Sequence, residues 1–244
     1  MSQRITRAIV VGASSGIGAQ LTLKLAAQGA TVAALARRAD ALDALAQQGG
    51  GRVAPYPHDV TDFDAAPALF DRVVADLGGL DLLLYVAGVM PDVAESEYSF
   101  PKDRQMIEVN LLGAVAWINL AGAHFEAQRS GVICGVSSVA GDRGRRGNPV
   151  YTASKAGLTA YLEAMRNRLS RYGVSVVTVK PGPVETPMTE GLSLPFMIPA
   201  DRAADEILAH IQRGSVSGYV PWIWRPIMMI IRNIPSFLFR RTNI

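Results

Sequence analysis

A tyrosine and a lysine with helical spacing, Tyr151 and Lys155, are the residues of this sequence with the clearest capacity for chemistry. At positions i and i+4 of a helix their side chains share one face, so an ammonium group can lie near a phenol. A positive charge lowers the pKa of a phenol, which is about 10 when unperturbed. A tyrosine tuned in this way can give a proton to a carbonyl oxygen or take one back. Ser138, just after an apolar run, adds a hydroxyl group upstream.

A glycine-rich turn near the amino terminus offers a second kind of chemistry. The apolar run Ala8–Val11 leads straight into Gly12-Ala13-Ser14-Ser15-Gly16-Ile17-Gly18. Such a turn between a strand and a helix exposes backbone N–H groups and the positive helix end to a phosphate. Gly12 permits the tight turn, Gly16 lets a ligand approach, and Gly18 lets the helix pack closely. The turn therefore predicts a dinucleotide-binding site.

The same turn also contains the pattern G-x-S-x-G, which in α/β-hydrolases carries the nucleophilic serine. In that alternative Ser14 is the nucleophile and His210 is its base. The position after the first strand disfavours this alternative, as does the lack of an HGGG-type oxyanion segment.

The end of the second predicted strand indicates which dinucleotide binds. The strand ends in Arg37-Arg38 with no carboxylate. An acidic residue at this point would bind a ribose 2′-hydroxyl, whereas a guanidinium group suits a 2′-phosphate. The sequence thus favours NADP(H) over NAD(H).

Short apolar runs alternate with longer helical patterns along the chain, which is typical of a doubly wound parallel α/β sheet of the Rossmann type. The predicted strands are Ala8–Val11, Thr31–Leu35, Val53–Tyr56, Leu80–Val86, Val132–Val136, Val174–Val179 and Tyr219–Val220. The predicted helices are Ile17–Gln28, Asp40–Gln47, Asp64–Asp76, Pro101–Gln128, Tyr151–Arg171 and Asp201–Gln212. We expect one three-layer domain over residues 1–218, followed by an apolar and basic tail over residues 219–244.

Composition excludes several other classes of protein. The chain has 244 residues, of which 49% are hydrophobic and 18% charged, so it can bury a sizeable core. No metal site is expected, because the single cysteine and the three histidines lack ligand spacing: Cys134, His58, His124 and His210. The formal charge is +3, and four arginines after Val220 leave the first 219 residues at −1. The body therefore offers no basic field for nucleic acid. No signal peptide is evident, and we expect a cytoplasmic location.

Several of these features occur in the order typical of one known family. The set comprises Gly12, Gly16, Gly18, Asp59-Val60, Asn110, Ser138, Tyr151-x-x-x-Lys155 and Pro181-Gly182-Pro183-Val184-Glu185-Thr186. With these residues, the sequence from Ile5 to Met188 resembles the short-chain dehydrogenase/reductase family. The resemblance implies an NADP-dependent oxidoreductase that reduces a ketone or aldehyde, or oxidises an alcohol, and that forms homodimers or homotetramers.

The resemblance also implies a role for each matching position. Tyr151 would be the acid and base, Ser138 would bind the substrate oxygen, Lys155 would hold the cofactor ribose and tune Tyr151, and Asn110 would anchor a relay water. Asp59 and Val60 would contact adenine, while Val184 and Thr186 would position the nicotinamide amide. The remaining cofactor contacts are expected from Gly12, Ser14, Ser15, Gly16, Ile17, Gly18, Arg37, Arg38, Ala87, Gly88, Tyr151, Lys155, Pro181 and Gly182.

One departure from the family pattern follows the fourth predicted strand. The chain has Tyr85-Val86-Ala87-Gly88 where the family commonly has Asn-Asn or Asn-His before Ala-Gly. A polar contact that stabilises the sheet must therefore be absent or replaced.

Two basic segments leave alternatives open. The tail, with Trp222, Trp224 and spaced arginines among aliphatic residues, suits a segment lying in a membrane interface, but it can equally fold over the core or a partner subunit. The loop Asp142–Arg146 can hold an anionic substrate group or be a solvated charge run. Together these segments resemble reductases of keto sugars on polyprenyl phosphates, of the decaprenylphosphoryl-2-keto-ribose reductase type. Reduction of such a lipid-linked keto sugar is therefore one alternative function, and it would place the protein at the inner face of the membrane. A non-catalytic regulator that binds NADPH is the other.

Overall fold

The computed structural model describes residues 4–242. Its seven main strands are β1 (Arg7–Val11), β2 (Thr31–Ala36), β3 (Val53–Pro57), β4 (Leu82–Tyr85), β5 (Gly131–Val136), β6 (Val174–Pro181) and β9 (Ser217–Val220). They form one parallel sheet in the order β3-β2-β1-β4-β5-β6-β9. A small separate ribbon pairs β7 (Val184–Glu185) with β8 (Ile198–Pro199). The predicted doubly wound sheet is confirmed, and its strand order reverses between β1 and β4, where such sheets form a crevice.

Helices cover both faces of the sheet. They are α1 (Gly16–Ala27), α2 (Ala39–Gln48), α3 (Ala66–Leu77), α4 (Phe100–Ile107), α5 (Gly113–Gln128), α6 (Pro149–Leu169), α7 (Ala200–Gln212), α8 (Trp224–Asn233) and α9 (Ser236–Phe239). Alternate residues of a strand point to opposite faces. Ala8 and Val10 of β1 accordingly pack with α1, α2 and α7, whereas Ile9 and Val11 pack with α3, α5 and α6. Because both faces are covered, the strands are apolar throughout.

The helix predicted over Pro101–Gln128 is interrupted. A π turn at Glu108–Leu112 separates α4 from α5 and contains Asn110. The whole stretch Phe100–Gln128 is long and apolar enough to cross a membrane by length and composition alone, and half of its most apolar window is buried. In this fold the stretch is a core helix, since Trp117 and Phe125 are fully buried under the sheet.

The expected boundary between residues 218 and 219 falls inside β9. Gly218 and Tyr219 pair with Val179 and Lys180 of β6, so the sheet continues to Val220. The residues after β9 form two further helices, α8 and α9, which the sequence patterns did not predict.

Candidate active site

A cleft of about 1020 Å³ opens at the carboxyl ends of the strands. Parallel strands place their carboxyl ends at one edge, so distant segments of the chain meet there. Of the predicted site residues, those that line the cleft are Gly12, Ser14, Ser15, Gly16, Ile17, Gly18, Arg37, Arg38, Asp59, Val60, Ala87, Gly88, Ser138, Tyr151, Lys155, Pro181, Gly182, Val184 and Thr186. Asn110 lies directly behind this lining.

The glycine turn is shaped by close backbone contacts. Gly12 has a φ of +94°, and a side chain there would collide with the backbone of Ala87. A side chain at Gly18 would collide with the carbonyl of Gly12, so α1 packs tightly against the turn. The backbone N–H of Gly12 donates to Leu35 O at 2.8 Å and ties the turn to the end of β2. The first residues of α1 line the cleft.

Ser14 is engaged by an arginine. Arg38 Nη2 donates to Ser14 Oγ at 3.1 Å and to Ser14 O at 3.3 Å. His210 instead shares a hydrogen bond of 3.1 Å with Ser215 and packs against Gly218. His210 is therefore not placed to act as the base for Ser14, and the hydrolase alternative is wrong for this pairing.

Arg37 and Asp59 come from neighbouring strand ends. Arg37 Nη1 lies 3.9 Å from Asp59 Oδ2, and both side chains are substantially exposed. Partial burial acts to raise the pKa of Asp59, but hydrogen bonds from Thr61 and the charge of Arg37 outweigh it and lower the pKa. A loose, exposed pair of this kind contributes little stability, so Arg37 can exchange Asp59 for another anion.

Ser138, Tyr151 and Lys155 come together on one wall of the cleft. Ser138 follows β5, and Tyr151 lies in the first turn of α6, where the Ser138 hydroxyl group acts to lower the pKa of the tyrosine. Ser138 Oγ also accepts from Ala140 N at 3.0 Å, which fixes its orientation. One helical turn after Tyr151, Lys155 Nζ donates to Val136 O at 3.1 Å and lies 5.9 Å from the centre of the tyrosine ring.

Burial governs the electrostatics of this group. It raises the pKa of Tyr151, although the Ser138 hydrogen bond and the charge of Arg145 act to lower it. It also lowers the pKa of Lys155 to about 8. The sequence-based expectation of a lowered tyrosine pKa is therefore wrong for this state of the protein, because removing the phenolate from water outweighs the nearby charges.

Asn110 is locked at both ends of its amide. Its Nδ2 donates to Val89 O at 3.0 Å and to Ser154 Oγ at 3.1 Å, and its Oδ1 accepts from Val89 N at 2.7 Å. A methyl group at Gly88 would lie 3.4 Å from both Asn110 Oδ1 and Lys155 Nζ. The asparagine thus supports the loop after β4 from behind, next to the lysine.

Tyr85 supplies a polar contact where the sequence departs from the family pattern. Its buried hydroxyl group donates to Val109 O at 2.6 Å, within the π turn. This bond ties the end of β4 to the segment that carries Asn110.

The segment after β6, which is predicted to contact the cofactor, is held in place by Val220 and Trp224, two residues that the sequence analysis did not assign to the site. Gly182 N donates to Val220 O at 2.8 Å, and the indole ring of Trp224 packs directly against Gly182. Thr186 packs directly against Gly16, where an added side chain would collide with its methyl group. The pairing of tryptophan with glycine has no local sequence signal, because more than 40 residues separate them.

Two residues of the basic loop, Asp142 and Arg143, form hydrogen bonds with later segments of the chain. Arg143 Nη1 donates to the carbonyls of Ile231, Arg232 and Ile234 at 2.6, 3.1 and 2.6 Å. Asp142 accepts from Lys180 Nζ at 2.6 Å and from the Tyr219 hydroxyl group at 2.6 Å. Arg143 therefore caps a helix rather than belonging to a solvated charge run. It also lines the cleft, as does Arg145 near Tyr151.

The fold and this site define a class of protein: a Rossmann-type sheet with a glycine turn and a serine–tyrosine–lysine group over one cleft. The family model for short chain dehydrogenases matches residues 6–194. An uncharacterized oxidoreductase of Myxococcus xanthus is 35% identical and covers 95% of this chain and 94% of its own length. An uncharacterized oxidoreductase of Mycobacterium tuberculosis is 31% identical over 96% of this chain and 95% of its own length.

Solved structures agree. A short chain dehydrogenase/reductase family protein superposes with a TM-score of 0.79 at 25% identity, over 90% of this chain and 97% of that one. ElxO with NADP bound has the same fold, with a TM-score of 0.81 at 19% identity over 91% of this chain. The chain belongs to the short-chain dehydrogenase/reductase family, and it is an oxidoreductase of that family.

Proposed function

We propose that this protein reduces a ketone or aldehyde to an alcohol with NADPH, or catalyses the reverse reaction, using Tyr151 as the acid. The observation that carries the proposal is that Ser138, Tyr151 and Lys155 line one cleft, with Lys155 Nζ 5.9 Å from the centre of the Tyr151 ring. A non-catalytic NADPH-binding regulator needs no proton donor at this point.

The cleft fits a nicotinamide dinucleotide. Gly12 and Gly18 let the turn pack tightly against Ala87 and against the start of α1, and the residues that begin α1 line the cleft, where their backbone N–H groups suit a phosphate. Arg37 and Arg38 at the end of β2 suit a 2′-phosphate, which supports a preference for NADPH. The bound cofactor supplies the hydride. ElxO, a protein of the same fold, has NADP bound.

The proton chemistry belongs to this chain's own residues. Tyr151 gives its hydroxyl proton to the carbonyl oxygen, and Ser138 hydrogen-bonds the same oxygen. The raised pKa of Tyr151 keeps the phenol protonated at neutral pH, which favours reduction. Lys155, with its pKa of about 8, can gain and lose a proton near neutrality and resupply Tyr151. The amide of Asn110 is fully engaged, so a relay water would bind its backbone carbonyl.

Tyr151→Phe tests the proposal. NADPH oxidation with a panel of ketones and aldehydes should fall by a factor of about 10² to 10⁴, because the proton donor is gone. NADPH affinity should stay within about twofold. The matched control is Tyr161→Phe, on the same helix, whose hydroxyl group bonds Asn119 away from the cleft. Turnover retained in Tyr151→Phe would contradict the assignment of Tyr151 as the acid. If the unmodified protein binds NADPH but reduces no carbonyl compound, the non-catalytic regulator is favoured.

A second candidate narrows the substrate to a keto sugar on a polyprenyl phosphate. It is favoured by Arg145, which lies near Tyr151, and by the apolar wall that α8 gives the cleft. Inhibition of carbonyl reduction by an isoprenyl phosphate, lost in Arg145→Gln, would support it; no inhibition would count against it. A cytoplasmic location and a homodimer or homotetramer stay predictions.

A further inference from the structure

Exposed apolar side chains concentrate on the outer side of the two C-terminal helices. We name the group Trp222, Met229, Ile230, Phe237 and Leu238 the C-terminal surface. Trp222 is 69% exposed, Ile230 65% and Phe237 59%. Five large apolar side chains exposed within one short segment indicate an interaction surface.

The C-terminal surface is held in place by the opposite face of the same segment. Met228 is buried, and Arg143 binds three carbonyls at the end of α8. The Arg143 guanidinium also lies 3.9 Å from the centre of the Phe239 ring. One face of the tail therefore folds over the core, and the other faces outward.

The charges around the C-terminal surface indicate what it contacts. Arg225, Arg240 and Arg241 are exposed beside the apolar side chains, and the sequence has no acidic residue after Val220. A second copy of the chain docking here about a twofold axis would bring like charges together. An anionic lipid surface supplies the complementary charge, and apolar side chains with flanking arginines are typical of interfacial helices.

The C-terminal surface is continuous with the cleft. Trp224, Ile227 and Ile231, on the inner face of α8, line the cleft. Phe196 packs edge-on against Trp224 at 6.0 Å, is itself exposed, and forms the facing rim. A membrane on the outer face of α8 would therefore lie at the mouth of the cleft.

We infer that the C-terminal surface docks on an anionic lipid bilayer, with the aliphatic and aromatic side chains in the interface and the arginines at the headgroups. This inference does not depend on the proposed reaction, since vesicle binding needs neither cofactor nor turnover. It places the mouth of the cleft where a lipid-borne substrate would arrive.

Co-sedimentation with vesicles tests the inference. The unmodified protein should bind vesicles containing phosphatidylglycerol and should bind pure phosphatidylcholine much less. Ile230→Glu with Phe237→Glu should abolish binding. Arg240→Gln with Arg241→Gln should weaken it by about fivefold for each arginine removed. The matched control is Val216→Glu with Phe63→Glu, which adds the same two charges at exposed apolar positions that do not line the cleft.

Circular dichroism of each variant reports whether it is folded, and a separate NADPH titration distinguishes failure of this inference from failure of the proposed function. A second measurement needs no variant: brominated lipids should quench the fluorescence of exposed Trp222 in the unmodified protein. Failure of the unmodified protein to bind anionic vesicles, or full binding by the Ile230/Phe237 variant, would overturn the inference. So would light scattering that shows a dimer which the same two substitutions convert to a monomer.

Discussion

Lys155 is a buried cation whose direct hydrogen-bond partner among the described residues is a backbone carbonyl, so its charge is costly to the fold. Burial lowers its pKa from the ordinary 10.5 to about 8. Below pH 8 the lysine is charged in both the folded and the unfolded chain, and the full cost applies. Between about pH 8 and 10.5 the unfolded chain binds more protons than the folded one. The free energy of unfolding therefore rises with pH across that window.

Lys155→Met should raise the free energy of unfolding at pH 7, by up to about 3 kcal/mol, while abolishing turnover. The gain should shrink towards zero near pH 10.5. Chemical denaturation at several pH values measures it. The control, Lys180→Met, should lower the free energy of unfolding by about 3–5 kcal/mol, because it leaves the buried carboxylate of Asp142 without its cationic partner. A destabilised Lys155→Met protein at pH 7 would contradict this account.

Arg37 should set the choice between the two dinucleotides. Arg37→Gln removes a guanidinium group without placing a second carboxylate beside Asp59. It should weaken NADPH binding by about 10- to 100-fold, as expected for a charge-assisted hydrogen bond. NADH affinity should change by less than about threefold, since that ligand lacks the 2′-phosphate. Arg72→Gln, at an exposed arginine that pairs with Asp76 on α3, is the control. Equal losses for both dinucleotides would remove Arg37 from this role.

The helix α8 forms one wall of the cleft, and Arg143 is what fixes its carboxyl end. Arg143→Gln leaves the carbonyls of Ile231 and Ile234 without their charged donor. The free energy of unfolding should fall by about 2 kcal/mol. The KM for the carbonyl substrate should rise, while NADPH affinity stays unchanged, because Arg143 fixes the carboxyl end of α8, whereas Trp224, which packs against Gly182 of the cofactor half, lies at its amino end. Arg225→Gln, at the exposed start of the same helix, is the control. A parallel loss of NADPH affinity would contradict this division of the cleft.

Local patterns predicted the elements of this fold well, because strands buried on both faces appear as apolar runs that need no tertiary information. The glycine turn and the Tyr151/Lys155 spacing also depend on local geometry, and the structure brings them to one cleft. What escaped prediction depends on contacts between distant segments. The π turn around Asn110, its tie to Tyr85, and the capping of α8 by Arg143 are of this kind. The pKa of Tyr151 was missed for the same reason, since burial is a property of the folded molecule.

The central claim is that the whole molecule is an NADPH-dependent oxidoreductase, and the most direct test is a fluorescence titration of the unmodified protein with NADPH and, separately, with NADH. We expect saturable binding of NADPH with a Kd at least about tenfold lower than that of NADH, equivalent to about 1.4 kcal/mol. Equal affinities would contradict the role given to the arginines after β2. Binding of neither dinucleotide would contradict the proposed function itself.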